Sequence, residues 1–132
     1  MSQNLAASSF VGDLVVSMLT VNNFSLEKAC EMRPVLEEAG FFDVEVLSKM
    51  SHEQVFSALK NAGYTKADYV VGLLADRLQA MASTMRGTPN GEIRALLKPG
   101  RERDLDRFLL AIKGVGPAVL ETFRAFKSIR AE

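Results

Sequence analysis

Apolar residues recur every three to four positions along almost the whole chain, and no stretch alternates apolar with polar long enough to form a strand. That periodicity predicts an all-α fold, a compact multi-helix domain. Phe10, Leu14, Met18 and Leu19 set the first stripe, and Val11, Val15 and Val16 widen it. Ser8 or Ser9 offers an N-cap, and the helix should run to about Thr20, where Asn22 and Asn23 break it by competing for backbone hydrogen bonds. Ser25 then caps a second helix, Leu26 to Ala39, ended by Gly40, with Pro34 predicting a kink or a split. Asp43 to Met50 forms a short helix resting on Val44 and Leu47. Ser51 answered by Gln54 reads as a capping box, opening a helix that Gly63 closes after Ala62. Thr65 caps a long helix, Lys66 to about Ser83, with Tyr69, Val70, Leu73, Leu74 and Leu78 as its buried stripe.

Arg86-Gly87-Thr88-Pro89-Asn90-Gly91 is rich in turn formers and reads as the linker. A short helix, Glu92 to Leu97, stops at Lys98-Pro99-Gly100. Two last helices, Arg103 to Lys113 and Pro117 to Ile129, flank Gly114-Val115-Gly116. With 132 residues and no repeat or low-complexity tract, the chain reads as one domain, 1–132, whose last element is a helical hairpin at about 103–129. No apolar run reaches membrane-spanning length, and the first residues lack a secretory pattern. The single cysteine excludes an intramolecular disulfide, so the expected compartment is the cytoplasm. Cys30 is expected to be a small buried hydrophobe, and Met18, Met32 and Met81 to be core gap fillers. Phe41, Phe42, Phe123 and Phe126 read as core, with an exposed wedge or a partner contact as the other reading of Phe41. His52 beside its cap should face solvent, without Cys or His partners for a metal.

Net charge is zero, but it is unevenly spread. Residues 1–85 hold six Lys/Arg against ten Asp/Glu, and residues 86–132 hold ten against six. The basic half contains the stretch with the most chemistry. An apolar helix ends in Ile112-Lys113-Gly114-Val115-Gly116, and a second begins at once with Pro117 in its first turn, where a missing N–H costs nothing. Gly114 can take the left-handed conformation that ends a helix. Gly116 leaves no side chain in front of the next helix N-terminus, and Val115 points back to pin the two helices. Such a corner presents backbone N–H groups to a phosphate and reads no base sequence. The phosphate-binding set is Lys113, Gly114, Val115, Gly116, Ala118 and Arg124. The other reading is a plain helical hairpin with a glycine-rich corner.

These residues resemble the helix-hairpin-helix DNA glycosylase superfamily, the group that includes endonuclease III. Ile112-Lys113-Gly114-Val115-Gly116 stands where that family has Leu-Pro-Gly-Val-Gly. Upstream, Ala62-Gly63-Tyr64-Thr65-Lys66-Ala67 through Val71 is similar to its Gly-Tyr/Phe-x-x-Lys-Ala segment. Leu19-Thr20-Val21-Asn22-Asn23 stands at its Leu-Ser-Ala-Gln-Ala. The matches follow in order over about residues 8–126. The resemblance implies a six-helix-barrel fold, duplex DNA, damaged or distorted, as partner, a DNA-probing loop at Asn22 and Asn23, and a role in base-excision repair. It also implies a potassium or sodium ion held by the backbone carbonyls of Ile112 and Gly114. The departures point away from catalysis. The family's catalytic lysine position is Ala118, and its catalytic aspartate would fall beyond Glu132. The iron–sulfur cysteines have no counterpart, so no other cofactor is expected. Asp104 and Asp106 read as charges complementing a helix N-terminus.

The reading that follows is a DNA-backbone-binding protein of the repair type, without catalytic residues of its own and nucleoid-associated in the cytoplasm. Two others stand beside it. One is a minimal glycosylase or abasic-site lyase with a relocated carboxylate or a lysine such as Lys113. The other is a protein-interaction module whose binding surface lies on the acidic N-terminal half.

Overall fold

The structure, a computed structural model, describes the backbone of residues 2–20, 24–88, 90–96, 98, 100–112 and 114–131. It describes their side chains apart from 2–9, 90, 91, 94 and 126–131. The described residues are all-helical: α1 (Ser2–Leu19), α2 (Leu26–Glu38), α3 (Val44–Lys49), α4 (His52–Ala62), α5 (Asp68–Arg86), α6 (Asn90–Leu96), α7 (Glu102–Leu110) and α8 (Pro117–Ala131). None of these helices is long and apolar enough to cross a membrane. Asn22, Asn23, Lys113 and the Phe126 side chain lie outside the described set.

α1 is the axis of the molecule. Phe10, Val11, Leu14, Val15, Val16, Met18 and Leu19 are all buried, which covers every side of the helix rather than one stripe. It packs against α2, α5, α6 and α8, so residues near both chain ends share one core. Ser8 and Ser9 lie inside α1 instead of capping it, because the helix begins at Ser2.

Local signals set most helix ends. The Ser25 side chain accepts the Lys28 N–H at 3.4 Å, and Asp43 accepts the Glu45 N–H at 3.0 Å at the start of α3. Both halves of the Ser51 capping box form, Gln54 N–H to Ser51 Oγ at 3.1 Å and Ser51 N–H to Gln54 Oε1 at 2.8 Å. Gly40 and Gly63 close α2 and α4 with positive φ, as expected. Pro34 does not split α2. It sits on the exposed face, where water can serve the Cys30 carbonyl that loses its donor.

Four expectations fail once the helices pack. α5 starts at Asp68 rather than Lys66, and Ala67, not Thr65, takes the cap position, without a side-chain bond. Tyr64 is drawn into the core against Phe24, with ring centroids 4.7 Å apart. The buried row of α5 is Val71, Leu74, Ala75, Leu78, Met81, Ala82 and Met85, while Tyr69 and Leu73 face outward at 75% and 48% exposure. That row is continuous over four turns, whereas the row through Tyr69 and Leu73 runs into Arg77. Cys30 is exposed, because α2 buries Ala29, Met32 and Leu36 and Cys30 falls off that face. The linker is shorter than expected, since α5 continues through Arg86 and α6 begins at Asn90.

Phe41 and Phe42 are both buried, which removes the exposed-wedge reading of Phe41. Met18, Met32 and Met81 are core residues. One charged pair enters this interior. Asp13 on α1 meets Arg33 of α2 at 3.0 Å, and the guanidinium also lies 5.4 Å above the Phe42 ring.

Candidate phosphate-binding hairpin

The hairpin is built by burying one side of each helix. α7 buries Leu105 and Leu109, the corner buries Ile112 and Val115, and α8 buries Val119, Leu120 and Phe123. The Phe123 ring meets Phe10 of α1 edge-on, centroids 5.3 Å apart, which fixes α8 to the axis of the molecule. Asp106 and Arg124 join α7 to α8 on the outside.

The backbone of the corner follows from these anchors. α7 tightens at its end, with Ile112 N–H bonding to Leu109 O at 3.0 Å. Val115 N–H bonds to Ile112 O at 3.1 Å, and Gly114 takes φ +92°. Leu120 N–H bonds to Gly116 O at 3.0 Å and starts α8. Among the described residues, no backbone acceptor takes the N–H of Gly116, Ala118 or Val119. Pro117 and Ala118 are exposed, and a Cβ built on Gly116 would meet nothing within 4 Å. With respect to the described residues, the corner is therefore an open cluster of donors at the N-terminus of a fifteen-residue helix.

The predicted set divides on this geometry. Gly114, Gly116 and Ala118 lie where donors or close approach are needed. Val115 pins the hairpin as expected, but its side chain is buried and its N–H is spent on Ile112, so it has no donor for a ligand. Arg124 is not a free cation. Asp106 accepts from both Nε and an Nη of its guanidinium, and that hydrogen bond is the main cause of the raised Arg124 pKa. The expected dipole-complementing role holds for Asp104, which lies in the first turn of α7 and receives Arg101 at 2.7 Å. It does not hold for Asp106, which reaches across to α8 instead. The Ile112 carbonyl retains one lone pair after accepting Val115 N–H, so it could still face a monovalent cation.

Two features were missed in the sequence. The first is the Asp13–Arg33 pair, hidden because Asp13 falls in an otherwise apolar helix. The second is Arg77 on α5, whose side chain lies against the hairpin. A Cβ on Gly114 would stand 2.7 Å from Arg77 Cβ, 2.8 Å from Cγ and 3.3 Å from Cδ. A lone arginine inside an apolar helical run, between Leu74 and Leu78, is the signal that could have drawn attention to it.

Elsewhere, His52 is exposed as expected, but it is tied to α5, its Nε2 lying 3.1 Å from Gly72 O and 3.2 Å from Asp76. Among the described residues, no group of three His, Cys, Asp or Glu side chains could hold a metal. No protein-family model, curated protein or solved structure matches the chain.

Proposed function

We propose that the 102–131 hairpin grips the phosphate backbone of duplex DNA without reading its sequence, in the manner of the helix-hairpin-helix glycosylase superfamily that the sequence resembles. The observation that carries this reading is the open face of Gly116. It sits at the start of α8, two residues after the left-handed Gly114, with N–H donors around it that no backbone acceptor among the described residues takes. The basic balance of residues 86–132 supports it, as do Arg103 and Arg107, exposed one turn apart on α7. With Ala118 at the family's lysine position and Asp104 and Asp106 both ion-paired, the role is binding rather than base excision. A potassium or sodium ion on the Ile112 and Gly114 carbonyls would bridge hairpin and phosphate, and damaged or distorted duplex is the substrate class.

Binding of a fluorescent duplex, intact or carrying an abasic site, across a salt series tests this, with wild type set beside Gly116→Glu. Gly116 is outside the left-handed region and has open space, so the variant should fold while placing a carboxylate where a phosphate must sit. Wild type should bind with a steep salt dependence and the variant should lose binding. Tighter binding of the abasic duplex would support the repair assignment. Failure of wild type to bind at low salt would sink the DNA reading.

A protein-interaction role has one observation of its own. An open groove of about 550 Å³ runs between Ala39, Val46, Met50 and Ala58, with Glu53 at its edge, on the acidic half of the chain.

A further inference from the structure

Of the two cations that the sequence assigns to the hairpin, Lys113 lies outside the described residues and Arg124 is engaged. Arg124 is held by Asp106 through two guanidinium nitrogens, so its charge is already matched. Arg77 is in the opposite situation. Its stem crosses Gly114 closely enough that a Cβ there would collide with it, and the guanidinium begins one bond beyond the Cδ that lies 3.3 Å from that point. Among the described residues it forms no ion pair or hydrogen bond. Its neighbours one turn away on α5 are Leu73, Leu74, Ala80 and Met81, none of which can answer its charge. The adjacent carboxylate, Asp76, is turned toward His52 at 3.2 Å. Half-buried on an apolar helix, Arg77 brings its side chain against Gly114, at the start of the corner, with its stem already ordered by packing.

We infer that Arg77 is the side chain that closes on a DNA phosphate at this hairpin, in the place the sequence gives to Arg124. The inference rests on the phosphate-gripping reading above. It makes the site composite: backbone donors come from the 114–118 corner, and the cation comes from α5, more than thirty residues earlier in the chain. The Asp106–Arg124 pair becomes a strap that sets how α7 and α8 meet. A guanidinium can bond two phosphate oxygens at once, which suits a contact that positions the protein on the duplex.

The test is anisotropy of a short fluorescent duplex over a salt series, with four proteins: wild type, Arg77→Met, Arg77→Lys and the double variant Asp106→Asn/Arg124→Gln. Methionine keeps an unbranched stem across Gly114 and removes the charge. Arg77→Met should weaken binding about tenfold and make the salt dependence shallower by about one ion, with the melting temperature kept. Arg77→Lys should keep the slope and lose part of the affinity, because the two-point contact is gone. The double variant leaves net charge unchanged and should keep the wild-type slope. Should methionine disturb the packing, Arg77→Gln supplies the same readout. A wild-type slope and affinity in the uncharged Arg77 variants would overturn the inference while leaving the hairpin reading intact, as would loss of slope in the double variant instead. Absence of wild-type binding at low salt would remove both.

Discussion

Asp13 carries a carboxylate into the helix that supplies the centre of the core, and Arg33 meets it from α2 at 3.0 Å. The side chains are 6% and 25% exposed, so the aspartate is largely desolvated while the arginine keeps some contact with water. Gly12 is part of the same arrangement. A Cβ there would stand 2.8 Å from an Arg33 Nη and 3.1 Å from the Phe42 ring, so a glycine inside α1 lets Arg33 cross to its partner. Removing one member of such a pair strands the other. Asp13→Ala should cost about 3 kcal/mol, seen as a lower urea midpoint at unchanged slope. Asp13→Leu combined with Arg33→Met should recover most of that loss, because an apolar pair leaves no charge to desolvate. Equal losses in the single and double variants would show that the pair itself, not the stranded charge, holds α1 to α2.

At the scale of the element, the hairpin depends on one glycine for two reasons. Gly114 has φ +92°, where an L side chain is strained by about 1–2 kcal/mol. A Cβ would also meet the Arg77 stem at 2.7 Å. Gly114→Ala should therefore destabilise the protein by about 2 kcal/mol in urea unfolding, more than backbone strain alone. Pairing it with Arg77→Ala should return the part due to the collision. The loops around α2 and α4 end on the same left-handed geometry, and those ends were legible in the sequence because each needs only a glycine and its own helix. The pairing of Arg124 was hidden for the opposite reason. Its partner Asp106 is eighteen residues away on the facing helix, and neither segment alone announces the pairing.

For the whole molecule, α1 is the helix that joins the two halves of the chain. It packs on α2 near the start of the chain and on α8 near its end, with Phe10 against Phe123 at 5.3 Å. Phe123→Ala should cost about 3–5 kcal/mol, the usual range for truncating a buried aromatic ring. A Tyr69→Phe background, which leaves Tyr64 as the one tyrosine, should unfold in a single transition by circular dichroism and by the fluorescence of Tyr64, which is buried against Phe24 of the N-terminal half. Two separated transitions would show that the hairpin is a unit apart from the α1 core.

What the sequence determined by itself was local: the all-α class, the Ser51–Gln54 capping box, the ends at Gly40 and Gly63, and a tight corner from Gly114 to Pro117. Each is decided by hydrogen bonds and steric limits that span only a few residues. The tertiary structure decided which face of each helix turns inward. It left Tyr69 and Cys30 outside, took Phe41 in, gave Arg124 to Asp106 and brought Arg77 against Gly114. Those outcomes depend on which helices meet, and side-chain periodicity within one helix marks an apolar stripe without saying which neighbour will cover it.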